Sequence, residues 1–451
     1  MCASPLTLAR AAGRIGPGMP AQLDEIVITA PLAHAGVTGR IRVPPSKSVT
    51  QRALVAAALA PGSRVVGPLD AEDPRLLAAA LSAAGYRLTW GEGEVRSEGF
   101  APRGGGELLM GNNGTGARFM LAQLAVTPGR WRLDGDARLR ERPVAPLVKA
   151  LVQLGASIAP VRGEGGEGPA ALPLEVVGRE LGGGEVTLDA GVSSQFLSAL
   201  LLLAPRLPQG LAVRLAGPPA SRPYLDLTAE VLARIGVAVE WQGPLAVRVP
   251  PCRPVAAEFA VEGDWSAAAF PMAAVAVAGG SVEVEGVRLD SRQGDATVAR
   301  LLAGIGCSVE ATGEGVRVSG PASQPLVADL RDTPDLFPPL AVVTACLGGR
   351  LGGLAALAVK ESDRLAVMTE LLGRIGFAVW CRGDVFGAAG GIPGRGGGDE
   401  PLWPARDHRV AMALAVAGSV VPGVRIADPH CVAKSWPGFW SAWARLSANA
   451  G

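Results

Sequence analysis

The sequence predicts an α/β protein assembled from six related modules. Three observations carry that prediction: a helix-closing phrase repeated at a nearly fixed interval, a short strand-like run after most copies, and a second, wholly apolar helix in the same register. The phrases are Leu81–Gly85, Leu151–Gly155, Leu232–Gly236, Leu302–Gly306, Leu372–Gly376 and Trp443–Ser447, spaced 70 to 81 residues apart. Self-similarity at a fixed period marks a repeated structural unit. The first five end on glycine, which closes a helix most easily in the left-handed conformation, and alternating runs such as Val237–Glu240 and Phe377–Trp380 follow.

The second set of helices begins near Ser48, Gly114, Ser194, Asp264, Asp335 and Asp407. Stretches such as Phe196–Ala204, Ala267–Ala278 and Ala411–Ala417 carry no polar stripe, so these helices should be buried on all sides. Their polarity is confined to the opening turns. The first of them follows Pro44–Arg52, where the strand-like Ile41–Val43 feeds a helix that Ser46 or Ser48 can cap. Free backbone N–H groups and the positive end of the helix dipole then lie beside Lys47, with Arg52 one turn on, which makes an anion site in prospect.

The amphipathic helices share a further trait, a base at or near the start in five of six modules: Arg142, Arg222, Arg292, Lys360 and Lys434. Cations at helix N-termini oppose the dipole and need a reason. A bound polyanion supplies one; inheritance from a duplicated ancestor without present use is the alternative.

Composition excludes several classes. The chain has 451 residues, 49% of them apolar, enough for two domains with substantial cores. Lys plus Arg (42) nearly cancels Asp plus Glu (41), so no global field recruits nucleic acid or an anionic membrane. No apolar run has the length and continuity of a membrane span. Six scattered cysteines lack C-x-x-C spacing, which argues against a disulfide framework or zinc site and fits a reduced cytoplasm. Residues 1–24 read as a loose extension without a secretory core, and Met19 is an alternative start.

Several motifs now appear in one order: Ser46-Lys47-Ser48 with Arg52, Gly111-Asn112-Asn113-Gly114-Thr115 with Arg118, Arg138 with Arg142-Pro143, Ser193-Ser194-Gln195, Ser221-Arg222-Pro223-Tyr224, Lys360-Glu361-Ser362-Asp363-Arg364, Asp407-His408-Arg409 and Lys434. From about residue 25 to 447 the chain resembles the 5-enolpyruvylshikimate-3-phosphate synthases, of the enolpyruvyl transferase family. The resemblance implies two similar domains, each of three βαβαββ units around buried parallel helices (an inverted α/β barrel), with the active site in the interdomain cleft. One domain would span 46–261, and the other 25–45 plus 262–451.

The implied reaction moves the enolpyruvyl group of phosphoenolpyruvate to the 5-hydroxyl of shikimate 3-phosphate and releases phosphate. By motif match, Lys47, Ser48, Arg52, Ser193, Ser194, Gln195, Ser221, Tyr224, Asp335 and Lys360 would hold shikimate 3-phosphate. Lys47, Asn112, Gly114, Thr115, Arg142, Gln195, Arg364, Arg409 and Lys434 would hold phosphoenolpyruvate. Two proton carriers are required, since C3 is protonated while the hydroxyl loses its proton. Asp335 and Glu361 are the candidates, with Lys47 assisting. His408 is read as positioning Arg409, and with only His34 and His430 besides it no histidine metal cluster is available. The expectation is therefore a cytoplasmic monomer with no metal and no cofactor, whose partners are its two small substrates, without nucleic acid or membrane.

Departures from the family pattern are Pro45 in place of glycine, Asn113 in place of Ala or Ser, Phe119 in place of Pro, and Ala356 and Ala358 where relatives carry Asn and Arg. Gly387–Gly398 reads as a surface loop. Two other readings stay open. A sister enzyme acts on UDP-N-acetylglucosamine, but it usually carries a reactive cysteine in its first domain, and here no cysteine lies between Cys2 and Cys252. A non-catalytic sugar-phosphate binding protein would keep the bases without needing Glu361.

Overall fold

The computed structural model describes residues 25–27, 36–161, 171–394 and 400–446. The extension 1–24, His34, Ser447 and part of Gly387–Gly398 lie outside the described residues. The chain divides into two compact units, one from Pro45 to Glu262 and one joining the residues up to Pro44 with those from Gly263 onward. Each has its own apolar core.

The unit from Pro45 holds three four-stranded sheets of one design. In the second module, Gly104–Leu109 and Gly129–Asp134 pair in parallel, in register from Gly104↔Gly129 to Leu109↔Asp134. Leu174–Gly178 then runs antiparallel to Gly129–Asp134, and Ser157–Pro160 antiparallel to Leu174–Gly178. The third module repeats this with Gly184–Leu188, Leu211–Leu215, Ala246–Val249 and Glu240–Trp241. In the first, Glu258–Ala260 from the end of the unit supplies the strand parallel to Arg64–Val66. Parallel neighbours need a crossover, and in the second and third modules a buried helix, Gly114–Ala125 or Ser194–Leu203, provides it.

The other unit repeats the plan. Val37–Arg42 pairs in parallel with Gly280–Glu285, and Leu326–Asp329 with Gly349–Gly352, each sheet being completed by an antiparallel hairpin. Among the described residues the sixth module shows Glu25–Val27 antiparallel to Arg425–Ala427, with an isolated bridge from Leu402 to Ile426. Two strand expectations change. Within the described part of 25–43, Glu25–Val27 and Val37–Arg42 are strands with different partners, and after Gly236 the strand is Glu240–Trp241, since Val237–Val239 has no ladder partner.

The six apolar helices are α1 (Lys47–Leu59), α2 (Gly114–Ala125), α3 (Ser194–Leu203), α4 (Trp265–Ala278), α5 (Phe337–Leu347) and α6 (His408–Gly418). Beyond its first turn each is almost wholly buried; Ala53 to Ala58 of α1, for example, are at most 2% exposed. Burial on all sides leaves only the termini open to polar chemistry. The amphipathic helices bury one stripe, as Glu72–Ala83 does with Leu77, Ala80 and Leu81. The glycines at 85, 155, 236, 306 and 376 have φ from 78° to 110°. At Gly85 a Cβ would lie 2.2 Å from the Ala101 carbonyl oxygen, so glycine is required there both sterically and by its backbone angle. Among the described residues no helix is long and apolar enough to cross a membrane.

Candidate active site

The buried helices deliver their polar first turns as predicted, and side chains on neighbouring elements complete two clusters, one in each unit. In the unit from Pro45, Ser46 caps α1 by accepting from Val49 N at 3.4 Å. That cap sets Lys47 at the first helical position, where its Nζ donates to Asp73 Oδ2 at 2.9 Å. Asp73 is buried in the first turn of Glu72–Ala83. It was not singled out from the sequence, although a signal existed. Five amphipathic helices carry a base near the start, and this sixth carries Glu72 and Asp73 instead.

Asn113 caps α2, its Oδ1 accepting from Gly116 N at 2.8 Å while its Nδ2 donates to the Asp73 carbonyl at 2.7 Å. The departure at 113 is therefore a helix cap that also fixes the Lys47–Asp73 pair. Arg142 Nη1 donates to the backbone and side-chain oxygens of Asn112 at 3.2 and 3.1 Å. Arg118 donates to the carbonyls of Gly114 and Pro143. A Cβ on Gly114 would lie 2.5 Å from Arg142 Cζ and 2.6 Å from Arg118 Nη1, so both guanidinium groups pass over a bare backbone. Gln195, at the start of α3 behind its cap Ser193, donates to Thr115 Oγ1 at 3.0 Å.

Arg52 lies deeper than its motif suggests. It is 2% exposed and donates to Thr228 Oγ1, the Ser48 carbonyl and Ser198 Oγ, with the rings of Phe119 and Tyr224 each 5.6 Å away. Burial lowers its pKa to about 10, with Tyr224 opposing. Phe119, the second departure, thus serves as an aromatic partner of this guanidinium. Ser221, 6% exposed, sits in the left-handed region at φ 52° immediately before Arg222–Arg234. A non-glycine residue held there costs about 1–3 kcal/mol, and such strain collects at functional sites. Arg222 itself pairs with Asp226 and lies over Trp241, so this repeated base is committed to its own helix.

In the other unit the centre is Arg364, only 1% exposed. Its Nε donates to Asp407 Oδ2 at 2.8 Å, its Nη1 to Asp335 Oδ1 at 2.7 Å and its Nη2 to Glu361 Oε2 at 2.8 Å. Asp335 stands in the turn Pro334–Leu336 that runs into α5; its Oδ2 accepts from Arg409 Nη2 at 3.2 Å, and Lys360 Nζ is 3.6 Å from Oδ1. Asp407 caps α6, accepting from Arg409 N at 3.0 Å and from Ser362 Oγ at 3.0 Å. Three carboxylates therefore share one guanidinium, and each is held from a different element.

Electrostatics follow from that sharing. Burial alone would raise the Asp335 carboxyl, but Arg409, Lys360 and Arg364 outweigh it and hold the group well below the usual range, against Glu361. Burial pulls Arg364 down, and Asp407, Glu361 and Asp335 more than restore it, so it stays charged. His408 is fully buried with Nδ1 3.8 Å from Asp407 Oδ1. Lys434 ends the turn Pro429–Lys434, packed on α6 and 6% exposed. Among the described residues no group of three or more His, Cys, Asp or Glu is placed to hold a metal ion. The carboxylates find their counter-charges in Arg and Lys.

A protein-family model described as EPSP synthase (3-phosphoshikimate 1-carboxyvinyltransferase) matches residues 33–443. A 3-phosphoshikimate 1-carboxyvinyltransferase of Syntrophobacter fumaroxidans is 39% identical over 426 residues, covering 92% of this chain and 98% of that protein. One of Methanoculleus marisnigri is 40% identical over 408 residues, 88% and 94% of the respective chains. A solved EPSP synthase structure from Acinetobacter baumannii matches with a TM-score of 0.72 at 27% identity, over 95% of this chain and 98% of that one.

Proposed function

Because this chain belongs to the EPSP synthase family, we propose that it transfers the enolpyruvyl group of phosphoenolpyruvate to the 5-hydroxyl of shikimate 3-phosphate, releasing phosphate. The observation that carries this reading is the Arg364 cluster, which sets two carboxylates, Asp335 and Glu361, among closely spaced bases. Both substrates bear a phosphate and a carboxylate, so several bases are needed to hold them against mutual repulsion.

The roles follow the geometry within each unit. Arg142 and the bare backbone of Gly114 form an anion cradle at the start of α2, with Asn112 and Thr115 orienting its donors; phosphoenolpyruvate fits that chemistry. Lys47, tethered by Asp73, reaches both substrates. Ser48, Ser193, Ser194, Ser221 and Tyr224 hold shikimate 3-phosphate, Arg52 fixes Ser48 from behind, and Gln195 lies against the sugar ring. Lys360 serves shikimate 3-phosphate, and Arg364, Arg409 and Lys434 serve phosphoenolpyruvate.

Proton transfer falls to Asp335 and Glu361. Asp335 is ionised while Arg364, Arg409 and Lys360 face it without substrate. Anionic substrates compete for the same bases, which lifts its affinity for a proton toward a working range. Asp335 then takes the proton of the 5-hydroxyl while Glu361, in its protonated form, delivers one to C3; when the adduct collapses Glu361 takes back a C3 proton and the proton on Asp335 leaves with the phosphate.

The test is phosphate release from phosphoenolpyruvate with either shikimate 3-phosphate or UDP-N-acetylglucosamine. Turnover is expected with the former only and without added metal; preference for the nucleotide sugar, or loss with a chelator and rescue by a divalent ion, would overturn the reading. A second expectation concerns Gly114→Ala. The new methyl forces Arg142 and Arg118 aside, so the KM for phosphoenolpyruvate should rise on the order of tenfold. Inhibition by the anionic analogue glyphosate should weaken in parallel, with the KM for shikimate 3-phosphate little changed. Equal glyphosate inhibition of parent and variant would contradict the cradle.

A further inference from the structure

Asp295 is a buried carboxyl that the mechanism above does not use. It stands in the turn Gly294–Ala296, packed against the start of α4, and is 3% exposed. Ser266 Oγ donates to its Oδ2, while Oδ1 is buried with no hydrogen-bond partner. The neighbouring Gln293 pins the turn in place, accepting from Trp265 N at 3.2 Å and donating to the Gly263 carbonyl at 2.7 Å. This side chain is fixed, enclosed and half-satisfied.

The groups that act on Asp295 come from three elements. The start of α4 contributes Asp264, whose Oδ1 caps the helix at Ala267 N; the turn before α5 contributes Asp335; and α6 contributes Arg409. Arg409 is already bonded to Asp335, which also has Arg364 and Lys360. Among the described residues no Lys or Arg lies within ion-pair distance of Asp295. Two buried carboxylates in one field do not both ionise readily, and the one without a cation keeps its proton.

We propose that Asp295 is a positioning residue for the Asp335–Arg409 pair: by holding a proton while Asp335 is ionised, it leaves Arg409 directed at Asp335 and at incoming anions. This rests on the roles given above to Asp335 and Arg409. Burial first, and then Asp335, push the Asp295 carboxyl up to about 7, against Ser266 and Arg409 and with a further push from Asp264. Above that pH an ionised Asp295 draws on Arg409 and repels an anionic substrate. Phosphoenolpyruvate capture should then weaken.

Two comparisons between the parent and Asp295→Asn test this. The first is the thermal unfolding midpoint from about pH 5 to about pH 8.5. A carboxyl raised in the folded state contributes stability that is present below its unfolded value of 3.8 and lost as pH rises through about 7. The midpoint of Asp295→Asn should therefore gain on the parent as pH rises and level off above the folded value. The second is the KM for phosphoenolpyruvate, which should climb in the parent above neutrality by up to about tenfold per pH unit and climb less in Asp295→Asn. Parallel unfolding profiles in an active enzyme would overturn this proposal alone. A stability gain without any change in the KM profile would overturn it too, since the proton would then have no bearing on anion capture. A parent enzyme that releases no phosphate would overturn the activity reading and this one together.

Discussion

Glu361→Gln is expected to lower kcat by about 10²–10⁴-fold with the KM of both substrates within about threefold of the parent. Glutamine keeps the size of the side chain and an oxygen that can go on accepting from Arg364 Nη2, now at 2.8 Å. Only the ionisable group is lost. If Glu361 merely steadied Arg364, the amide would serve nearly as well and turnover would persist. Solvent exchange of the C3 protons of phosphoenolpyruvate reports the step directly. A variant that exchanges and turns over like the parent would reduce Glu361 to a structural partner. Asp335→Asn is the control: it replaces the carboxylate that Arg364, Arg409 and Lys360 share, so it should raise KM as well as lower kcat.

Arg364→Met should destabilise its unit by about 3–5 kcal/mol, because removing one partner of a buried ion cluster leaves charge uncompensated. Asp407 is fully buried, and Asp335 and Glu361 are 15% and 11% exposed at the side chain. With Arg364 gone, Asp335 loses one of the bases that hold its carboxyl low and binds a proton more tightly in the folded state than before. Stability then falls as pH rises, so the deficit should be larger near about pH 8 than near about pH 5.5. In the parent the opposite holds for Asp335: its depressed carboxyl adds stability above its unfolded value of 3.8, lost as pH falls through the lower folded value. Urea midpoints for parent and variant at the two pH values decide the matter. A pH-independent loss below about 1 kcal/mol would mean that the cluster has reorganised around other bases.

The sequence exposed whatever depended on local pattern. Apolar helices without a polar stripe had to be buried, and so their polar residues had to gather at the helix starts; Lys47, Asn112, Ser193 and Asp407 lie there. Closing glycines were equally plain, since a positive φ after an apolar periodic run leaves few alternatives. Pairings between distant segments were not legible. Asp73 meets Lys47 only because the two helices of the first module pack together, and Phe119 meets Arg52 and Asp295 answers to Asp335 only because neighbouring modules of one unit do. The depth of Arg52 was not legible for a related reason: one helical turn from Lys47, it bonds to Thr228 and Ser198, whose packing the local sequence does not encode. Repetition also misled once, since Arg222 shares the place of Arg142 and Lys360 but has Asp226 one helical turn away to neutralise it.

The strand Val37–Arg42 finds its parallel partner only in Gly280–Glu285, on the far side of the whole Pro45–Glu262 unit. On the ribosome that ordering becomes a delay. At about 5–20 residues per second, the intervening chain takes on the order of 10–40 s to emerge, long enough for the inserted unit to fold first. Meanwhile a strand with Val37 and Ile41 on its buried side waits with its hydrogen-bonding edge unpaired, the state in which strands aggregate or pair wrongly. Its length limits the hazard, for it has only six residues, with Arg40 and Arg42 facing solvent and Gly39 in its middle. Such a strand is a weak template for another chain while it waits for the right one.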